Sequence, residues 1–273
     1  MLKANPIPAP CATRAVRLLT LARDLKRRRA REERHLFVAE GIRTVDELLR
    51  SSLRVRGALA TGQLLEDVRG ASVVAALRDR AIPVQQVTDT EFESAADTEA
   101  PQGILALAEV PIRSFTLLPI PPTMRLIVLD AVQDPGNVGT IVRTAAALGA
   151  LATVALPGTV DLWNAKVVRS AMGAHFHHPA FSSTWIDVRS FLDECGVSLW
   201  GADGKGEPLD VMLRGERKSV PSRLALAVGN EGSGLSSELR ERADRMVALP
   251  IAAGVESLNV AVATGIFLYE LRP

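Results

Sequence analysis

Three short stretches of this 273-residue chain set glycines beside amide, carboxylate or guanidinium side chains just where an apolar run ends. The first is Asp134-Pro135-Gly136-Asn137-Val138-Gly139, between a run ending at Leu129 and a helical period carrying Ile141, Val142, Ala145 and Leu148. Strand, glycine-bearing turn and helix start is a common ligand position in an open α/β sheet. Gly136 and Gly139 would allow positive φ and close backbone approach, Asn137 offers both donor and acceptor, and Arg143 follows within the first helical turns. The alternative is that Asn137 only caps the helix and Arg143 is a surface residue; this stretch alone does not choose. The second is Gly229-Asn230-Glu231-Gly232-Ser233-Gly234, after the apolar run Leu224 to Val228. Its glycines would let backbone amides and carbonyls face an adenine or a polar tail, although they could simply turn the chain while Ser236 caps the next helix. A carboxylate held between glycines favours a function for Glu231. The third runs from Leu249-Pro250-Ile251 to Glu256-Ser257-Leu258-Asn259-Val260 and enters a closing apolar helix. N-capping explains one of Ser257 and Asn259, but not both.

Two competing chemistries fit less well. A dinucleotide site needs G-x-G-x-x-G and an acid at the end of the next strand, whereas Ala152 to Leu156 runs into Pro157-Gly158. His175, His177 and His178 invite a metal, but no carboxylate or cysteine lies near them in sequence, and they read as surface residues before Pro179. No metal is expected. Cys11 and Cys195 match no metal spacing and point to a reducing, cytoplasmic setting.

These loops need a scaffold, and the composition supplies one. With 47% apolar and 23% charged residues the chain has the profile of a soluble globular protein. No apolar run is long enough to span a bilayer and no signal-peptide pattern opens the chain. Aromatic residues are only 4%, so stacking of bases on exposed rings is a poor expectation, and any RNA recognition would lean on shape, phosphate and ribose. The net charge of +1 conceals a basic run between Arg14 and Arg34. Its members Arg23, Lys26, Arg27, Arg28 and Arg29 are candidates for contacting a polyanion, against the plain reading of a solvated helix face.

Along the chain, residues 1–13 read as a loose arm. A helix carrying Val16, Leu18, Leu19, Leu21 and Leu25 follows, then a strand at Leu36 to Ala39 and a helix with Ile42, Val45, Leu48 and Leu49. Val55 to Ala60, Val84 to Val87 and Gly103 to Ala108 read as strands and Ala71 to Arg80 as a helix, with Thr88 or Asp89 capping another. Alternating strands and helices predict a mostly parallel sheet. Pro111, Pro119, Pro121 and Pro122 mark a linker over residues 111–124, separating a domain at 1–110 from one at 125–273. The second is also α/β, with strands at Arg125 to Leu129, Ala152 to Leu156, Val197 to Trp200, Leu224 to Val228 and Met246 to Leu249.

Taken in order, Asn137…Arg143, Gly229-Asn230-Glu231-Gly232 and Leu249-Pro250-Ile251…Glu256-Ser257-Leu258-Asn259-Val260 resemble the three motifs of SpoU-type (TrmH-like) RNA 2′-O-ribose methyltransferases of the SPOUT superfamily. The stretch from Asn164 to Ala174 resembles the same family, and the likeness covers residues 125–272. The first half is more weakly similar to the family's accessory RNA-binding domain, chiefly through Phe37-Val38-Ala39-Glu40-Gly41. The resemblance implies a smaller α/β RNA-binding domain before a catalytic parallel sheet threaded as a trefoil knot. It implies S-adenosyl-L-methionine held by Gly229, Leu249 and Leu258, and a catalytic, substrate-facing set of Arg143, Asn137, Glu231, Ser257 and Asn259. It also implies a homodimer acting on ribosomal RNA first and transfer RNA second. A non-catalytic RNA-binding or ribosome-assembly protein on the same scaffold is the alternative. Departures are few: Ile251 where Met is frequent, Ala253 where Gly is common and Ala261 where Ser is common. Because an ordinary guanidinium loses its proton only above about pH 12, Arg143 is expected to grip a phosphate or the ribose oxygen rather than act as a base.

Overall fold

The apolar spacing near the start does form a helix, α1 (Ala12–Asp24), in the computed structural model, which describes residues 12–215 and 220–272. Most of the expected N-terminal arm, with Cys11, lies outside the described residues. The chain divides into two compact units, one ending at Val110 and one starting at Pro111. None of the helices among the described residues is long and apolar enough to cross a membrane.

In the first unit, α1 and the turn after it bury Leu19, Ala22 and Leu25 in a core shared with Val38, Leu59, Phe92, Leu105 and Leu107. The order continues α2 (Arg28–Arg34), β1 (Leu36–Glu40), α3 (Ile42–Arg50), β2 (Val55–Thr61), α4 (Val68–Asp79), β3 (Val84–Val87), α5 (Asp89–Ala95) and β4 (Ile104–Glu109). Thr88 caps α5 through a full capping box with Glu91. The sheet runs β1-β4-β2-β3, and only β2 and β3 pair in parallel. The mostly parallel sheet expected for this half is therefore corrected: β4 is antiparallel to both neighbours. The crossover from β1 through α3 to β2 skips one strand position, and Ile104 to Ala108, buried throughout, fills it.

The second unit begins with a docked segment. Phe115, in a 3₁₀ turn at Phe115–Leu117, stacks on Phe191 at 4.4 Å and meets Phe181 edge-on at 5.1 Å. Then follow β5 (Met124–Asp130), α6 (Pro135–Ala147), β6 (Ala152–Ala155), α7 (Ala165–Ser170), α8 (Ala174–His177), β7 (Ala180–Ser182) and α9 (Trp185–Cys195). The chain continues through β8 (Ser198–Pro208), α10 (Leu209–Gly215), β9 (Arg223–Gly229), α11 (Ser237–Arg242), β10 (Arg245–Ala248) and α12 (Val260–Glu270). All six strands are parallel, in the order β10-β8-β9-β5-β6-β7. β5, buried at every position, pairs with β9 so that Leu129 faces Val228 and Asp130 faces Gly229. Strand order reverses direction at this pair, and the ends of β5 and β9 open side by side where ligands of open α/β sheets collect.

The histidines are not the surface cluster that their sequence neighbourhood predicts. His175 and His178 are buried and only His177 is exposed. The Trp163 ring lies 4.1 Å from the His175 ring, and the Thr153 hydroxyl is 2.9 Å from His178 Nε2. Arg113 donates to the carbonyls of His175 and Phe176 at 3.1 and 3.2 Å and sits 5.6 Å over Trp163. The turn of α8 packs between the sheet and Arg113, which is why polar residues before a proline end up inside. Burial, reinforced by the Arg113 charge, pushes His175 down to about 3 and His178 down to about 4. Both pKa values are depressed on folding, so their contribution to stability is complete above the unfolded value of about 6.5 and is lost as pH falls through the folded values. Unfolding free energy is expected to fall from pH 7 to pH 4, by up to about 1.4 kcal/mol per pH unit for each histidine, and melting temperature to fall with it. His178→Gln should flatten that profile in a thermal-unfolding series.

Candidate active site

The first loop is built by a cap other than the expected one. Asp134 occupies the N-cap of α6, accepting from the Asn137 N–H at 2.8 Å, and Pro135 takes the first helical position. Asn137 is thus inside the helix with its side chain free for other work. Gly136 and Gly139 are helical rather than positive in φ, which corrects the turn reading. Gly139 is small because α7 crosses there: a Cβ would lie 2.6 Å from the Val167 carbonyl oxygen and from Ser170 Cβ.

The second loop folds back on itself. Asn230 and Gly234 exchange two backbone hydrogen bonds at 3.0 and 2.9 Å. Asn230 Oδ1 accepts from the Gly232 and Ser233 amides at 2.9 and 3.0 Å, and its Nδ2 donates to the Ala131 carbonyl at 3.0 Å. The loop after β9 is thereby tied to the end of β5. Gly229 must lack a side chain, since a Cβ would sit 2.3 Å from the Gly234 carbonyl carbon. Ser236 stands at the N-cap of α11 without a side-chain capping bond, and its N–H instead donates to Asp130 at 2.6 Å. Asn230 and Asp130 are organisers that sequence reasoning passed over. An Asn before Glu-Gly-Ser-Gly is a turn signal that could have revealed the first of them.

In the third loop Asn259 is the N-cap of α12, accepting from the Ala261 and Val262 amides at 2.9 and 3.2 Å. Capping thus accounts for Asn259 and not for Ser257. The Asn259 amide has a second task, donating to Asn137 Oδ1 at 2.8 Å, while Asn137 Nδ2 donates to Glu231 Oε1 at 2.9 Å. One hydrogen-bonded chain, Asn259 to Asn137 to Glu231, therefore joins all three loops. The carboxylate can only accept, which turns the Asn137 amide so that its oxygen faces Asn259.

Beside this chain lies a cleft of about 430 Å³, within the size range of small-molecule sites. Gly229, Leu249 and Leu258 line it, as do Glu231, Ser257 and Asn259. Its carboxylates are Asp203, Glu231 and Glu256, with no Lys, Arg or His in the lining. An apolar body carrying a cationic end suits such a wall. Asn137 meets the cleft through its hydrogen bonds, whereas Arg143 is not in the lining. Six residues along a helix correspond to about 240° and about 9 Å, so Arg143 stands on a different face of α6 from Asn137. It is exposed, and its guanidinium makes no hydrogen bond or ion pair among the described residues. Among the described residues no three His, Cys, Asp or Glu side chains gather where they could hold a metal ion.

The five basic candidates of the first unit, Arg23, Lys26, Arg27, Arg28 and Arg29, are exposed but engaged, whereas Arg31 in the same run is buried. Arg23 donates to the Ser94 hydroxyl and Lys26 to the Ala96 carbonyl, both at 2.7 Å. Arg27, Arg28 and Arg29 pair with Asp24, Glu32 and Glu33, also at 2.7 Å. Exposed pairs of this kind hold weakly and can be exchanged for a phosphate.

Known proteins resemble this chain in sequence and fold. Residues 124–269 match the model of the SpoU rRNA Methylase family, and residues 20–106 match an MRM3-like substrate binding domain. The 23S rRNA (guanosine(2553)-2′-O)-methyltransferase RlmP of Bacillus subtilis is 34% identical, over 92% of this chain and 95% of its own length. The AdoMet-bound rRNA methyltransferase of Sinorhizobium meliloti superposes with a TM-score of 0.78 at 27% identity, covering 93% of this chain and 94% of that one. The SpoU methyltransferase AviRb of Streptomyces viridochromogenes, in complex with AdoMet, gives 0.81 at 25% identity, covering 93% and 96%. The matched region takes in all three loops, the β5/β9 opening and the cleft, and the chain belongs to the SpoU rRNA methylase family.

Proposed function

We propose that this protein transfers a methyl group from S-adenosyl-L-methionine to a ribose 2′-hydroxyl of ribosomal RNA. The observation that carries this reading is the Asn259–Asn137–Glu231 chain at the edge of the cleft, which brings polar groups from three separated loops to one place. The cleft suits the cofactor in volume, in the apolar Leu249 and Leu258 beside Gly229, and in carboxylates that favour a sulfonium and an ammonium. When bound, the cofactor supplies a methyl group already activated by its positive sulfur. What remains for the chain is alignment of the hydroxyl and stabilisation of the charge that develops on it. Asn137, Ser257 and Asn259 hold the ribose and its loop, Glu231 fixes the Asn137 amide, and Arg143 grips a phosphate or the ribose oxygen. The test is transfer of labelled methyl from S-adenosyl-L-methionine to ribosomal and transfer RNA, with the product mapped to a 2′-oxygen. Incorporation into ribosomal RNA supports the reading. Cofactor binding without incorporation into either pool would point to another RNA or an assembly intermediate as substrate, and absence of cofactor binding would favour an RNA-binding or assembly factor instead.

The first unit, residues 1–110, is the RNA-binding domain in this reading, with Arg23, Lys26, Arg27, Arg28 and Arg29 meeting phosphates. Support comes from their exposure and from the substrate-binding family match over residues 20–106. Deleting the basic run would remove the buried Leu19, Ala22 and Leu25, so substitutions make the cleaner experiment. Arg27→Ala/Arg28→Ala/Arg29→Ala should weaken RNA binding at moderate salt, make the plot of log affinity against log salt shallower by roughly two, and leave cofactor affinity unchanged.

The reading also includes a homodimer through the catalytic unit, a cytoplasmic setting and the knotted thread implied by the family. The dimer is supported by Val262, Ile266 and Tyr269, which stand one helical turn apart on the exposed side of α12 and are 53%, 40% and 53% exposed. Ile266→Glu is expected to convert a dimer to a monomer in sedimentation, with the monomer retaining its helix content.

A further inference from the structure

The polar part of the cleft lining that lies outside the three motifs is one short stretch. It is formed by Ala202, Asp203 and Gly204 in the outer half of β8. Asp203 is the enclosed carboxylate of the lining, its side chain 15% exposed, while Glu231 and Glu256 are exposed. It is fixed from two sides: Oδ1 accepts the Lys205 N–H at 2.8 Å, and Oδ2 takes the Arg240 guanidinium at 2.5 Å. Arg240 is itself anchored, donating through Nε to the Leu235 carbonyl at 3.0 Å. The Lys205 amide and the Arg240 guanidinium also hold the Asp203 carboxyl below the usual carboxylate range, so it remains an ionised acceptor near neutral pH.

Each Asp203 oxygen keeps a lone-pair site beyond the bond already made. A carboxylate neutralised by an arginine is a poor counter-ion for an ammonium but still a strong acceptor for hydroxyl donors. The unpaired negative charge that would draw a cation lies at exposed Glu256 instead. We propose that Asp203 binds the vicinal 2′,3′-hydroxyls of the cofactor's ribose, with Arg240 as its positioning residue. The acid that a dinucleotide site would place after β6 is thus supplied here from β8, for the same chemical task of holding a ribose diol.

The inference rests on S-adenosyl-L-methionine occupying this cleft, and calorimetry separates the two claims. S-adenosylhomocysteine and its 2′-deoxy and 3′-deoxy analogues are titrated into the wild-type protein and into Asp203→Asn. Wild type should lose about tenfold to a hundredfold in affinity for each missing hydroxyl, as expected for hydrogen bonds to a charged acceptor. Asp203→Asn should weaken the parent compound by a similar factor and largely erase the difference between parent and analogues. Equal wild-type affinity for all three compounds overturns the proposal without any variant having to fold. An Asp203→Asn protein that weakens parent and analogues by one common factor overturns it too, leaving Asp203 as a structural partner of Arg240. Failure of the parent compound to bind wild type would remove the cofactor reading and this inference together.

Discussion

Arg143→Ala is expected to lower methyl transfer by about a hundredfold to a thousandfold while cofactor affinity stays within about twofold. The geometry separates the two effects. Arg143 lies outside the cleft lining and holds no other side chain among the described residues, so its loss removes no wall and no structural bond. A guanidinium that stabilises charge only as the hydroxyl reacts should act on kcat, with kcat/KM falling in parallel. Single-turnover rates beside calorimetric cofactor titrations would measure this. Arg143→Lys keeps the charge but loses the planar fork, and should recover only part of the rate. A near-normal rate for Arg143→Ala would remove this residue from the chemistry and move attention to the Asn137 chain.

Gly229→Ala is expected to cost about 1–3 kcal/mol, felt mainly as cofactor affinity reduced by up to about a hundredfold. The added methyl would fall 2.3 Å from the Gly234 carbonyl carbon and 2.4 Å from its oxygen. Both are backbone atoms and cannot swing aside. The Asn230–Gly234 pair must open, and with it one wall of the cleft. Gly232→Ala, three residues along the same loop, is the control: its nearest neighbour would be Asn230 Oδ1 at an ordinary 3.5 Å. It should leave affinity within about twofold. Equal losses in both variants would show that loop flexibility, rather than the close approach at Gly229, governs binding.

Much of the scaffold was legible because its signals are local. The buried run of β5 and the apolar runs of β8, β9 and β10 announce themselves as strands, and glycine with polar residues at their ends marks the loops. What escaped depends on distant partners. β4 reads as one more strand of a parallel sheet, since nothing in Ile104 to Ala108 states that it will enter antiparallel between β1 and β2. β7, with three residues, is too short to carry a period, and its place is set by β6 alone. The buried histidines share this cause: Arg113, far away in sequence, and Trp163, across an intervening helix, decide their surroundings. The helix cap was recoverable. Proline at the first helical position points to Asp134 as the N-cap, and that frees Asn137 to bridge Glu231 and Asn259. Asp203 carried no signal, because its value as an acceptor comes from Arg240, and α11 follows β9.

The pairing of Asp130 with Gly229 also sets an order of events during synthesis. The first unit has all its strands once β4 has emerged, and it can fold while the rest is still being made. The second cannot close its central strand pair until β9 appears, and its Asn259 link to Asn137 waits for the segment before α12. Such long-range closure is slow compared with local contacts. A nascent chain would therefore carry a finished first unit, and on the reading above a competence to hold RNA, well before it could bind cofactor. Incomplete chains stalled in the catalytic half would occupy RNA without modifying it, which makes the intactness of the last helix a condition for avoiding self-competition.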